Sequence, residues 1–339
     1  METFISKKYD ETMSCNINIG LYHSYGWNKV LKNGFNIEIN YLYTYDAGEF
    51  ICCTPLLIKK LFGFLCIGSP LRGLFTEYLG PIFNSNNSIE TNILAISNQL
   101  TFLKKLNPIY IEFCLNNNFE LSFDKINNLF ESNKFFYQKR PSLLLDISGT
   151  ENEIWDKLNS RARNMVRKAR SNNITIKFNE FINDDIVTKY YEMLSKTFQK
   201  SKIKVPHSLK SYIELIKNLE LNKTIFFVSA HKSGVILAIS IFLVDNKRVI
   251  YHSSASTLLG YKYAASSLIQ WELIRFASKS GLIQYDFGGV GISTIDKFKK
   301  SFGGEPVTHH RWIFTPKLFR STISVIKFLS SKGLISIFK

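Results

Sequence analysis

The stretch YDFGGVGISTIDKFKKSFGGEP, Tyr285–Pro306, sets five glycines beside three lysines. Flexible backbone next to cations suits a phosphate cradle, a dinucleotide fold, or a loop whose main chain must approach a substrate. Residue-level tests remove the first two. A dinucleotide fingerprint needs GxGxxG between a strand and a helix, and GGVGIST lacks the third glycine. A P-loop needs GKS or GKT, and neither follows. What remains is a strand ending near Asp286, a turn through Gly288, Gly289 and Gly291, and a short helix over IDKFKKSF. On that helix Ile295, Phe298 and Phe302 are expected to share a face, with Lys299 and Lys300 projecting elsewhere and Asp296 and Lys300 forming a surface i, i+4 pair. Asp286 has two readings: a carboxylate that accepts a proton or orients an amine, or an aspartate that holds the turn.

Working outward, the segment before the loop reads as a meander, a helix and a strand. TIFFVSA, VILAISIFLV and RVIYHSSAS are separated by the turns HKSG and DNK, YAASSLIQWELIRFASKSG is a helix closed by Gly281, and LIQYDF is the strand that enters the loop. Further upstream, helices are expected over about 184–199 and 206–219. IWDKLNSRARNMVRKARSNN carries Trp155, Leu158, Ala162, Met165, Val166 and Ala169 at the spacing of one buried helical face. The first half repeats the scheme. FNIEINYLY and EFICCTPLLIKK read as a hairpin, SIETNILAISNQLTFLKKL as a helix and PIYIEFC as the next strand. Two similar α/β domains follow, with a boundary near Gly149.

The charge is uneven. Residues 1–150 hold thirteen basic and thirteen acidic side chains, while 151–339 hold thirty and fourteen, so the whole net charge of +16 lies in the second half. An anionic partner is expected there: a phosphorylated substrate, tRNA or the acidic face of a membrane. The alternative is a solvated basic surface. On the basic helix Arg163, Arg167 and Arg170 form one stripe, with Arg161, Asn164 and Lys168 beside it, and guanidinium groups suit bidentate capture of phosphate.

Other classes are disfavoured. VILAISIFLV is too short to span a bilayer, and METFISKKYDETMS has acidic residues where a signal peptide needs an apolar core, so a cytoplasmic location is expected. Five cysteines, Cys15, Cys52, Cys53, Cys66 and Cys114, form no CxxC pair and no zinc spacing with histidine; they read as reduced packing residues, and no metal site is expected. His309, His310 and Arg311 would face alternate sides of a strand, and His252 reads as a packed residue. The tail from Pro316, acid-free and mixing apolar with basic positions, suits the inner face of an anionic membrane.

Three stretches in this order, W…NGF…YLY…CTPLLIKKLFGFLCIGSP…YLGP (Trp27–Pro81), RARNMVRKAR, and GLIQYDFGGV…FKKSFGGEP, resemble the Fem-type aminoacyltransferases and their relatives with a BioF2-like acetyltransferase domain, within the GNAT superfamily. The resemblance implies an α/β (α+β) fold of two tandem GNAT-like domains, each a mixed central sheet flanked by helices. The expected extents are 1–149, 150–315 as the acyltransferase domain, and a basic amphipathic tail, 316–339, returning to the first domain. It also implies transfer of an acyl or aminoacyl group to an amine of a cell-envelope glycan or peptidoglycan precursor, with no bound cofactor. Its Phe-Lys pair falls on Phe298 and Lys299, where Lys299 would stabilise the oxyanion of acyl transfer and Phe298 would shape the pocket. Asp286 joins them as a candidate catalytic residue, and Arg163, Arg167, Tyr251, Lys262, Gly288 and Gly289 are the candidate substrate-binding residues.

The donor is aminoacyl-tRNA or acyl-CoA. A coenzyme A loop of the form Q/R-x-x-G-x-G/A is replaced by STLLGYKYAASS, with the single glycine Gly260 and Lys262, a departure that favours the tRNA donor of the Fem-type branch. The acceptor is expected to be a nucleotide- or lipid-linked sugar. Two alternatives stand beside this reading: an acyl-CoA-dependent N-acyltransferase of amino sugars, and a non-catalytic GNAT-like module that binds nucleic acid or anionic membrane.

Overall fold

A computed structural model describes residues 1–9, 19–116, 121–178, 182–200, 205–291 and 293–320. In chain order its elements are β1 (Glu2–Ser6), α1 (Tyr25–Phe35), β2 (Glu38–Asp46), β3 (Glu49–Leu61), β4 (Phe64–Ser69), β5 (Ile82–Phe83), α2 (Ile89–Lys105), β6 (Tyr110–Leu115), α3 (Phe123–Ser132) and β7 (Phe136–Asp146). Then follow α4 (Glu151–Lys157), α5 (Ser160–Ser171), β8 (Thr175–Phe178), α6 (Asp184–Lys200), α7 (Leu209–Asn218), β9 (Ile225–Lys232), β10 (Val235–Asp245) and β11 (Arg248–Ser256). Last come α8 (Leu258–Lys262), α9 (Ala265–Lys279), β12 (Gln284–Gly289), α10 (Ser293–Ser301) and β13 (Glu305–Phe314). The chain divides into two compact units, Met1–Arg140 with Thr308–Lys339, and Pro141–Val307.

In the first unit the strands stand in the order β1-β2-β3-β4-β6-β13, with β5 on β3. All pairs are antiparallel except β4 and β6, whose parallel register, Cys66↔Tyr110 to Ser69↔Phe113, requires the crossover that α2 supplies. Leu42, Leu56, Ile67, Leu100, Ile111 and Trp312 meet in the core between sheet and helices. Burying side chains of this size stabilises the fold by about 1.5–3 kcal/mol each. β13, expected within the second domain, pairs with β6 from His310↔Leu115 to Phe314↔Ile111 and so completes the sheet of the first unit. The His-His-Arg run lies on that strand. His309 is buried beside the Tyr78 ring, His310 Nδ1 is 3.0 Å from the Tyr137 hydroxyl, and Arg311 forms a buried ion pair with Glu112 at 2.8 Å. Cys52, Cys53, Cys66 and Cys114 are buried free thiols. Cys15 and tail residues 321–339 lie outside the described residues.

The second unit repeats the plan, in the order β7-β12-β11-β10-β9-β8. β9, β10 and β11 form the antiparallel meander, α9 crosses over, and β12 returns parallel to β11. A core of Leu145, Val166, Phe242, Trp271, Phe287 and Phe302 fills it. One expectation changes here: the basic helix is two. Leu158 is extended, and Asn159 caps α5 by accepting from Ala162 N at 3.0 Å. An Asn-Ser pair ahead of a helical run is an N-cap signal, and it overrides the apolar spacing that runs through it. Among the described residues no helix is long and apolar enough to cross a membrane.

Candidate active site

The parallel ladder between β11 and β12 is short. It runs from Arg248↔Gln284 to Ile250↔Asp286 and stops, although β11 continues to Ser256 and β12 to Gly289. On the other side of β12 the pairing with β7 is interrupted by a bulge between Asp286 and Gly289. Asp286 is therefore the last residue held on both sides before β12 parts from β11 and bulges along β7 into the glycine turn, the strand end where α/β sheets take ligands.

Asp286 is fully buried, a placement that a carboxylate tolerates only when its charge and lone pairs are satisfied. It accepts from the Ser142 hydroxyl at 3.1 Å and from Gly288 N at 2.8 Å, and it pairs with the Arg248 guanidinium at 3.4 Å. Arg248 is also buried, and its Nε donates to Gln284 at 3.1 Å, its register partner. Gly288 has φ of +72°, a left-handed value that suits a residue without Cβ.

Lys299 lies on α10 and is 7% exposed. Its Nζ donates to Gly289 O at 2.6 Å and to Gly288 O at 3.3 Å. This corrects the expected projection away from the apolar face. Lys299 is i+4 from Ile295 and i−3 from Phe302, so it belongs to the same stripe, and that stripe turns inward from Phe298 onward while Ile295 stays exposed. Phe298 packs on Phe302 at 5.2 Å. The expected Asp296–Lys300 pair is replaced by a local bond, because Asp296 accepts from Gly291 N at 3.0 Å and so closes the turn. The carboxylate of Asp286 thus takes an N–H of the glycine turn while the ammonium of Lys299 takes its carbonyls.

The remaining candidates fall at separate places. Tyr251 follows the last β11–β12 pair; it packs on Phe242 at 5.6 Å, and burial pushes its hydroxyl up to about 12. Its neighbour His252 is pushed down to about 3 by burial, reinforced by His207, and is a neutral imidazole at physiological pH. Lys262 is exposed on α8, its ammonium 5.6 Å from the Tyr263 ring centroid. Gly260 is a packing glycine: a Cβ there would sit 2.3 Å from Leu237 O, so backbone closeness to β10 accounts for it without a phosphate. On α5 the arginine stripe is partly engaged. Arg163 donates to Asp156 O at 3.4 Å and Arg170 pairs with Glu272 at 2.8 Å, whereas Arg167 is exposed, its guanidinium 5.6 Å from the Trp155 ring centroid. The cap of α5 is joined to the end of α10, where Asn159 N donates to Ser301 O at 2.9 Å. The sequence reading missed Arg248 and Ser142. Arg248, directly after a turn and inside an apolar strand, was the available signal, since a charge there needs a buried partner.

A meander, a crossover helix and a parallel return strand, present in each unit, make this a tandem GNAT-like fold. Residues 213–309 match the FemAB family, so the Fem-type resemblance is borne out over the segment that runs from α7 into β13 and holds the whole glycine turn. Among solved structures, the crystal structure of FemX matches with a TM-score of 0.71 and 12% identity, covering 95% of this chain and 99% of that one. L-PGS from Bacillus licheniformis matches at 0.54 and 11%, covering 87% and 89%. A tandem GNAT protein from the clavulanic acid biosynthesis pathway matches at 0.52 and 8%, covering 82% and 83%. No curated protein matched the sequence.

Proposed function

We propose that the chain is an aminoacyltransferase of the Fem type that moves an aminoacyl group from a charged tRNA to an amine of a cell-envelope precursor. The observation that carries this reading is the buried Lys299 ammonium fixed on the glycine turn, inside the segment that matches the FemAB family. An amine that attacks an ester builds an oxyanion, and a cation held in place before the reaction stabilises that charge without reorganising. Asp286, already engaged by Arg248, Ser142 and Gly288, serves in this reading as a positioning residue that fixes the turn and hence Lys299. Phe298 shapes the wall beside it. Arg167 and Arg163 receive phosphate of the acceptor or of the donor backbone. Two features support a tRNA donor: Gly260, which packs against β10, is the single glycine where a coenzyme A loop has two, and the net charge of residues 151–339 suits a polyanion.

The test uses the purified chain with charged tRNAs, acyl-CoAs and envelope precursors, with products read by mass spectrometry. Lys299→Met should lower transfer by about 10²-fold, the scale for losing one oxyanion-stabilising group. Turnover close to wild type in that variant would sink the role given to Lys299. Across a salt series tRNA binding should weaken steeply and log-linearly, because several phosphates are neutralised, and acyl-CoA should show a shallow slope. Saturable acetyl-CoA binding with no tRNA affinity at low salt would overturn the tRNA donor and leave the BioF2-like alternative.

A further inference from the structure

One end of the first unit exposes apolar side chains that no core among the described residues takes up. β3 and β4 are joined by the two-residue turn Phe62-Gly63, with φ of +51° and +84°. The turns Ala47-Gly48 and Ser233-Gly234 have nearly the same values, and each puts a small residue first. Hairpin turns of this kind favour Asn or Gly there, since a large side chain at positive φ is strained. Phe62 is nonetheless a phenylalanine and is 78% exposed, so burial returns nothing for that strain. Beside it, Phe64 meets Phe319 edge-on at 5.2 Å, and Leu318 is 83% exposed. Ile109 N donates to Leu65 O, which brings the end of α2, with exposed Lys105 and Leu106, to the same end.

The charge around these side chains has one sign. Lys60, Lys105, Lys317 and Arg320 are exposed, and Arg320 lies over the Phe136 ring at 4.4 Å. The segments that converge here contain no acidic residue over 50–76, over 91–111, or anywhere after Glu305. α3, whose C-cap Asn133 accepts from Lys104 at 2.7 Å, carries two carboxylates, Asp124 in its first turn and Glu131 in its last.

We propose that this end, the Phe62-Gly63 turn together with Lys317–Arg320, docks on an anionic phospholipid surface. A few exposed apolar side chains, Phe62, Phe64, Leu106 and Leu318, set among lysines differ from the core of a protein interface, which is depleted in lysine. They match what inserts at the level of lipid headgroups, where rings and leucine enter the acyl boundary while lysine and arginine stems reach back to phosphates. The proposal does not depend on the acyl-transfer reading.

The full chain is sedimented with vesicles of phosphatidylglycerol and phosphatidylcholine in equal parts, and with phosphatidylcholine alone. Wild type should sediment with the anionic vesicles, be released by salt and ignore the neutral ones. Phe62→Asn should reduce the bound fraction by about fivefold, and further when combined with Leu318→Ser, because the inserted apolar area is lost. The melting temperature of Phe62→Asn should stay the same or rise, since Asn suits the turn, so a loss of binding is not a loss of fold. Absence of binding at low salt, or binding that survives the double substitution, overturns the proposal. A concentration-dependent dimer of wild type that Phe62→Asn abolishes overturns it as well, in favour of a protein interface.

Discussion

Arg248 and Asp286 meet on adjacent strands although they stand 38 residues apart in the sequence. Removing only the cation would leave a fully buried carboxylate without its counter-charge, and such losses cost about 3–5 kcal/mol. Arg248→Met should therefore lower the urea midpoint sharply, and adding Asp286→Asn should recover a good part of the loss. If Arg248→Met unfolds at the wild-type midpoint, the pair does not hold the turn. This pair also marks where sequence reading runs out. The end of a strand at Asp286 and the glycine turn were legible because glycines and an alternating apolar run are local signals. The partner was not, because the register of a parallel return strand is set across a crossover helix. The expected projection of Lys299 away from the apolar face fails for a different reason: side-chain spacing carries no sign of the two carbonyls that make the inward position favourable.

At the level of elements, α5 presents its basic surface in three chemically different states. Arg170 is tied to Glu272, Arg163 is half-buried against Asp156, and Arg167 projects beside Trp155. Exchanging Arg163 and Arg167 together for Gln should raise the acceptor KM about tenfold while kcat changes little, since phosphate positioning is largely uniform binding. Arg170→Gln should leave KM unchanged and cost no more than about 1 kcal/mol of stability, the range of a surface ion pair. An unchanged KM in the double variant would make the face merely solvated. The helix itself was readable from its apolar spacing. Its break at Asn159 was signalled too, but a continuous buried stripe across α4 and α5 hid the cap, because both helices bury the same face: Ile154 on one, Ala162 and Val166 on the other.

For the whole molecule, acid stability follows from its half-buried histidines. His252, held down to about 3 when folded, regains its ordinary value near 6.5 on unfolding. Between those values the unfolded chain binds a proton that the folded chain does not, so stability falls as pH drops from 6.5 toward 3, on the order of 1 kcal/mol per pH unit. His231 and His310, also lowered by burial, act in the same direction. Asp146, held down to about 2 by Ser148 and Lys157, contributes stability above the ordinary carboxylate value of 3.8 and loses it only below that, so it is silent over most of this range. Denaturant titrations from pH 7 to 4 should show the slope in wild type and a flatter one in His252→Gln; equal slopes would exclude His252 as the main source.

The repeated meander, helix and strand could be read from the chain, but the extent of each unit could not. The first unit ends at Arg140, ahead of the Gly149 boundary, and it resumes at Thr308. A strand that completes a sheet from far down the chain leaves no local mark. That completion also sets an order of assembly. During synthesis the second unit, continuous from Pro141 to Val307, has all of its residues before β6 can meet β13, so the unit encoded first is the one whose sheet is finished last.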